Sequence, residues 1–191
     1  MKPKSLVLAV FALSATTMLA CAGPEKPKIV NDFAIDLGAG GPEGIAFDAR
    51  LGHFYFVVES SIYRSDRKGG NIKRIGGKDG VRYRGITRNA KGHFLALASS
   101  SSEVHTFDAN GRFLSTLELP VSPDYRAISC SKNGKTIYIS DRSKIITFKA
   151  NGMKIREFEI PGGDIQGIAA GPRGHLWVVD DETLEIKLLN Q

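Results

Sequence analysis

The sequence predicts an all-β chain folded as a β-propeller of four-stranded blades, and three observations carry that prediction. A short unit, Gly44-Ile45-Ala46, returns as Gly85-Ile86-Thr87, Ala127-Ile128-Ser129 and Gly167-Ile168-Ala169, at spacings of 41, 42 and 40 residues, the period of propeller blades. Each copy is followed by a turn glycine, at Gly52, Gly92, Gly134 or Gly174, that opens a second apolar run. Outside the N-terminal segment no stretch repeats its apolar residues with the spacing of an amphipathic helix.

Residues 1–20 stand apart from this pattern. Lys2 and Lys4 precede an uncharged run from Ser5 to Ala20 that ends in Met18-Leu19-Ala20-Cys21, the layout of an export signal peptide. That ending resembles the lipobox of bacterial lipoproteins. The resemblance implies cleavage before Cys21, acylation of its sulfur and amine, and an attachment that several acyl chains make permanent. Ala22 after the cysteine implies, on the same resemblance, the outer membrane, with the domain facing the periplasm. The uncharged stretch from Ser5 to Gly23 is also long enough to cross a bilayer as an uncleaved anchor. Both readings export the domain and hold it at the cell envelope. Residues 21–28, rich in proline and charge, form an extended tether.

The propeller occupies residues 29–191, with repeats at about 41–75, 83–119, 125–160 and 165–191. In each, the second strand is a continuous apolar run: Phe54-Tyr55-Phe56-Val57-Val58, Phe94-Leu95-Ala96-Leu97-Ala98, Ile137-Tyr138-Ile139 and Leu176-Trp177-Val178-Val179. Such runs between glycine turns are inner strands covered on both faces. A third strand alternates, as in Val104-His105-Thr106-Phe107, and leads into the turns Asp108-Ala109-Asn110-Gly111 and Lys149-Ala150-Asn151-Gly152. The fourth reads Leu117-Glu118-Leu119-Pro120 and Phe158-Glu159-Ile160-Pro161, with acids facing water and proline ending the strand.

Ile35-Asp36-Leu37 has the fourth-strand pattern but precedes the first full repeat, while the last repeat stops at Leu189-Asn190-Gln191. Segment 29–37 is therefore expected to complete the last blade and to remove its open edge. Three arrangements remain open: a closed four-bladed ring, part of a longer six-bladed chain, or a homodimer closing one larger ring.

Pro42-Glu43-Gly44-Ile45-Ala46-Phe47-Asp48 and its copies resemble the repeat of the NHL and SMP-30/gluconolactonase-like propellers of the six-bladed TolB-like superfamily. The SdiA-regulated envelope propellers are also similar. The likeness covers residues 29–191 and marks a fold rather than an activity; Val178 after Trp177 departs from the WD40 signature. Lactonase-type members of the superfamily bind one metal in the channel through a glutamate and Asn/Asp partners, and Glu43 lies in the corresponding type of motif. Arg84 and Arg126 hold the matching places in the next two blades, where they repel a cation.

Residues just before each innermost strand ring the channel mouth, the default ligand site of a propeller. Register puts Glu43, Arg84, Arg126 and Gln166 there, with Tyr83 and Tyr125 beside the arginines. The two Tyr-Arg pairs form a planar cationic surface for a carboxylate, phosphate or sugar acid. In the competing reading, Glu43 and the arginines neutralise one another across a narrow mouth. Glu59, Ser99, Asp141 and Asp181, with Asp180, follow the second strands and read as caps on backbone amides. His53, His93 and His175 sit at equivalent places on different blades, too far apart to share a metal. Ser99 to Ser102 lack a nucleophile motif, and no catalytic residue is assigned. Acylation of Cys21 leaves Cys130 unpaired, a small buried side chain in an apolar strand.

The formal charge of +6, from 26 basic and 20 acidic residues, falls to about +4 without Lys2 and Lys4. Export removes nucleic acid as a partner and makes anionic envelope material the natural counterpart of this modest surplus. The function expected is a lipid-anchored, non-catalytic binding or scaffold module without cofactor, recognising an envelope protein, peptide or glycan. The alternative is a metal-dependent lactonase- or esterase-like hydrolase centred on Glu43.

Overall fold

A computed structural model describes residues 41–99, 101–120, 124–171 and 174–189. The signal segment, Cys21, the tether and the strand expected at 29–37 lie outside them. All regular structure among the described residues is β. Blade 1 comprises β1 (Gly44–Asp48), β2 (His53–Val58), β3 (Ser61–Asp66) and β4 (Lys73–Gly77); blade 2 comprises β5 (Tyr83–Arg88), β6 (Phe94–Ala98), β7 (Glu103–Phe107) and β8 (Phe113–Glu118). Blade 3 is β9 (Tyr125–Cys130), β10 (Thr136–Asp141), β11 (Lys144–Lys149) and β12 (Lys154–Glu159), and blade 4 is β13 (Ile165–Ala170), β14 (Leu176–Asp180) and β15 (Glu185–Leu189). Each blade is an antiparallel meander in chain order. First strands pack side by side, β1 on β5, β5 on β9 and β9 on β13, so the fold is a β-propeller of four blades.

The apolar second strands explain how the blades stack. In β6 the side chains of Phe94, Ala96 and Ala98 join Tyr55, Val57 and Ile62 of blade 1 in one seam. Leu95 and Leu97 turn the other way, onto Ile128, Ile137, Ile139 and Phe148 of blade 3. One strand thus serves two seams, and the period-2 alternation that marks a half-buried strand disappears. A third seam sets Tyr138, Ile145 and Ile160 against Ile165, Leu176 and Val178. Each large side chain fully buried in these seams contributes about 1.5–3 kcal/mol.

First strands approach one another closely, and Gly44 of β1 and Gly85 of β5 are the reason two of them can. A Cβ on Gly44 would lie 2.6 Å from the Gly85 Cα, and one on Gly85 would lie 3.1 Å from the Ile128 amide nitrogen. The turns are stabilised locally. Asp48 Oδ1 accepts the amides of Arg50 (3.0 Å) and Leu51 (3.3 Å), and Asn89 Oδ1 accepts those of Lys91 (3.0 Å) and His93 (3.1 Å). These side chains hold the turn so that the next apolar run starts in register.

Two buried polar groups tie strands together. Tyr83 donates its hydroxyl hydrogen to His105 Nδ1 at 2.8 Å, and His105 Nε2–H donates to Glu103 at 3.1 Å, linking β5 to β7. Burial pushes the imidazole below the usual histidine range, which keeps it neutral with its proton on Nε2. Cys130 is buried, donates to the Arg88 carbonyl at 3.1 Å, and has its thiol pushed up by burial. It is an inert core residue.

β14 departs from the expectation that every second strand is covered on both faces. Leu176 and Val178 are buried, whereas Trp177 and Val179 are exposed. Among the described residues no further blade packs over that side.

Candidate functional site

Blades 2, 3 and 4 carry the same local device at the start of their first strands. β5 pairs Tyr83 with Ala98 and Gly85 with Leu97, leaving Arg84 as an extra residue in a bulge. β9 does the same at Arg126 and β13 at Gln166. In blade 1, Glu43 immediately precedes β1 and donates its amide to the Val57 carbonyl at 3.1 Å. A bulge bends the strand and re-aims one side chain. The device sends Arg84, Arg126 and Gln166 out at the start of their first strands.

Those side chains meet acids that sequence reasoning did not single out. Asp124, two residues before Arg126, accepts from it in a bidentate fork at 3.1 and 3.2 Å. Arg84 of blade 2 reaches the same carboxylate at 3.4 Å, and Arg142, from the turn after β10, binds its other oxygen. Arg126 also donates to Asp164 at 2.6 Å, and Asp164 accepts from Gln166 at 3.2 Å. A continuous ionic chain therefore runs from blade 2 through blade 3 to blade 4. Hydrogen bonds from Arg126, with Arg142 adding to them, hold the Asp124 carboxyl down to about 2 against the opposing effect of its partial burial.

Glu43 belongs to a second, separate cluster. It is bound by Arg82, whose Nε–H donates to Glu43 Oε1 at 3.0 Å and lies 3.6 Å from Glu59. The neutralising partner of Glu43 is therefore Arg82, and the partners of Arg84 and Arg126 are Asp124 and Asp164. Beside the Glu43 cluster a shallow cleft of about 260 Å³ opens between Glu59, Gly80, Val81 and Arg82.

Tyr83 and Tyr125 are placed elsewhere than expected. Both are core residues: Tyr83 bonds His105, and Tyr125 donates to the Pro120 carbonyl at 2.9 Å. Burial pushes the Tyr125 hydroxyl up to about 12. Strand geometry is the physical cause: successive side chains leave opposite faces, so each ring lies in the seam while the arginine after it stays partly exposed.

The cap expectation is met most fully by Asp180. Its carboxylate accepts the amides of Asp164 (3.0 Å) and Glu182 (3.2 Å) and is bound by Lys187 at 2.6 Å. Lys187 holds its carboxyl well below the usual range.

A divalent cation does not suit this donor set. The carboxylates are each satisfied by guanidinium or amide donors, Arg84 and Arg126 stand where further oxygen ligands are needed, and no group of three metal-binding side chains converges among the described residues. Asp124 is poorly suited to acid–base chemistry. Guanidinium groups stay protonated, and a carboxyl held near 2 is a weak base and no general acid at neutral pH. The surface presents guanidinium edges and carboxylates alternating over three blades.

The fold class is shared with several solved propellers. A protein of unknown function from Bacteroides caccae superposes with a TM-score of 0.63 at 18% identity, over 85% of this chain and 61% of that one. A streptogramin B lyase gives 0.60 at 18% identity, over 82% and 57%. A chain of a nidogen/laminin complex gives 0.65 at 23%, over 82% and 63%. The chain thus spans about three fifths of the length of each, and these identities speak for the fold alone. No protein-family profile and no curated protein matches the sequence.

Proposed function

We propose that this chain is a lipid-anchored, non-catalytic propeller of the cell envelope that binds a protein, peptide or glycan through its charged end. The observation that carries the reading is the Arg84–Asp124–Arg126–Asp164 chain: paired, fixed charges on rigid strands form a surface suited to complementary polar contacts rather than to bond making. The Met18-Leu19-Ala20-Cys21 ending supports the anchor, and mass spectrometry of the mature N-terminus tests it: acyl groups on Cys21 are expected, and cleavage elsewhere removes this part of the proposal.

Arg84 and Arg142 are the accessible members of the network, whereas Arg126 is largely covered and braces two blades. Substituting Arg84→Ala with Arg142→Ala is expected to weaken capture of the envelope partner about tenfold while the urea midpoint holds. Undiminished capture would remove the charged end as the contact surface. A tightly held divalent ion in the purified protein, measured by elemental analysis, would favour the hydrolase alternative instead.

A further inference from the structure

Strand register allows one row of side chains to be compared across the three seams. On the side of each blade that receives the next, the row holds Tyr55, Arg64 and Lys73 in blade 1 and Tyr138, Thr147 and Arg156 in blade 3. In blade 2 the same places hold Leu95, Thr106 and Ser115. The side chain arriving from the following blade is Phe94, Ile137 or Leu176 in turn. A tyrosine ring thus occupies the first seam, 4.2 Å from the Phe94 ring, and another the third, where Tyr138 packs with Leu176. The seam between blades 2 and 3 has neither a ring nor a long basic side chain in this row. Short side chains there leave open what the other two rows fill.

The opening is a cleft of about 320 Å³, at the low end of the range for small-molecule pockets. Turns of blade 3 brace it against blade 2. A Cβ on Gly134 would lie 3.2 Å from the Ala90 amide nitrogen, and one on Gly152 3.0 Å from Leu117 Cδ1. Leu95, Leu117 and Ile137 give the cleft an aliphatic wall.

Its polar lining is rich in donors. Asn89 Oδ1 accepts two turn amides, and Asn133 Oδ1 accepts the Lys135 amide at 3.0 Å and the Ser131 hydroxyl at 2.7 Å. Both side-chain oxygens are thus engaged in turns, and both Nδ2 groups remain as donors. Lys91 adds an ammonium group that forms no ion pair among the described residues, and the hydroxyls of Thr106 and Ser115 likewise find no partner there. No carboxylate and no guanidinium lines the cleft.

A fitting ligand is small, brings one anionic group to Lys91, offers acceptors to the amides and hydroxyls, and lays a C–H face on the aliphatic wall. A phosphate is better served by guanidinium groups, whereas a sugar ring with a carboxylate has all these parts. We propose that the cleft between blades 2 and 3 binds a sugar acid of the hexuronate class, its carboxylate at Lys91 and its ring against Leu95 and Ile137. The cleft lies beside the turns that follow β5 and β9, and the ionic chain lies where those strands begin. The two sites share no residue, so this one holds whether or not the charged end binds a partner.

The test titrates galacturonate into the full chain in detergent micelles, with galactose and acetate as controls. A dissociation constant on the order of a millimolar is expected for a ligand of this size, with amide NMR shifts concentrated at residues 89–93 and 133–137. Galactose and acetate are expected to bind at least about tenfold more weakly, and Lys91→Gln, at an exposed position, to weaken galacturonate about tenfold at an unchanged urea midpoint. Leu95→Tyr puts the ring of blades 1 and 3 into the cleft and is expected to remove binding while far-ultraviolet circular dichroism is retained; if that variant does not fold, Lys91→Gln decides. The Arg84→Ala, Arg142→Ala double variant is expected to bind galacturonate as the parent does. Loss of binding in that double variant would overturn the proposal by moving the sugar to the charged end. So would galactose binding as tightly as galacturonate, full binding by Lys91→Gln or by folded Leu95→Tyr, or no saturation by galacturonate well above the millimolar range.

Discussion

Blades 2 and 4 are written in the same repeat and sit in different surroundings. β6 is buried along its whole length between two neighbours, while β14 buries only every second residue. The glycine, the small residue two places on, and the apolar second strand are present in both. An apolar run therefore records the capacity of a strand to be covered, and the neighbouring blade decides whether it is.

The largest test of that contrast is truncation at equivalent places. Leu97→Ala should cost about 2–5 kcal/mol in urea unfolding, as expected for a fully buried leucine. Val179→Ala should cost under about 0.5 kcal/mol at concentrations where the chain is monomeric. Equal losses would show that the face of blade 4 is covered within one chain.

Glycine replacement sharpens the same comparison from the first strand. Gly44→Ala forces a seam apart and should cost about 1–3 kcal/mol, whereas Gly167→Ala should leave the thermal midpoint nearly unchanged. A large loss at Gly167 would mean that a backbone lies over it.

The ionic chain joining blades 2, 3 and 4 predicts an acid limb. The folded Asp124 carboxyl is depressed to about 2 by Arg126, so its contribution is fully present above the unfolded value near 4. It is lost as the pH falls from about 4 through 2, by on the order of 2 kcal/mol at most. Unfolding free energies measured across that range should lose this limb in Asp124→Asn, and an unchanged profile would show that the network does not stabilise the seam. The smallest effect belongs to Arg142, an exposed member of the network. Arg142→Ala should change stability by less than about 0.5 kcal/mol, as read from the urea midpoint.

The repeat made the fold readable because the seams demand the same residue types at the same spacing four times. The site was readable only in part. Arg84, Arg126 and Gln166 stood out as the positions where aligned repeats differ. Their partners Asp124 and Asp164, and Arg82 beside Glu43, lie just ahead of the repeated unit, where alignment has no frame. The tyrosines were misplaced because adjacency in sequence suggested a shared surface. Neighbouring side chains of a strand leave opposite faces, so the tyrosine enters the seam while the arginine after it stays partly exposed. The exposure of Trp177 was unreadable for a different reason: its own strand looks like the other three.

The one-sided packing of blade 4 also gives the molecule a direction of opening. Blades 2 and 3 are clamped along two seams and blade 4 along one, so fluctuations that release a blade without disturbing the rest start there. Amide hydrogens in β14 and β15 should exchange with solvent ahead of those in β6 and β10, which makes the blade 4 end the loose tooth of a zipper and the place where protease finds the chain first.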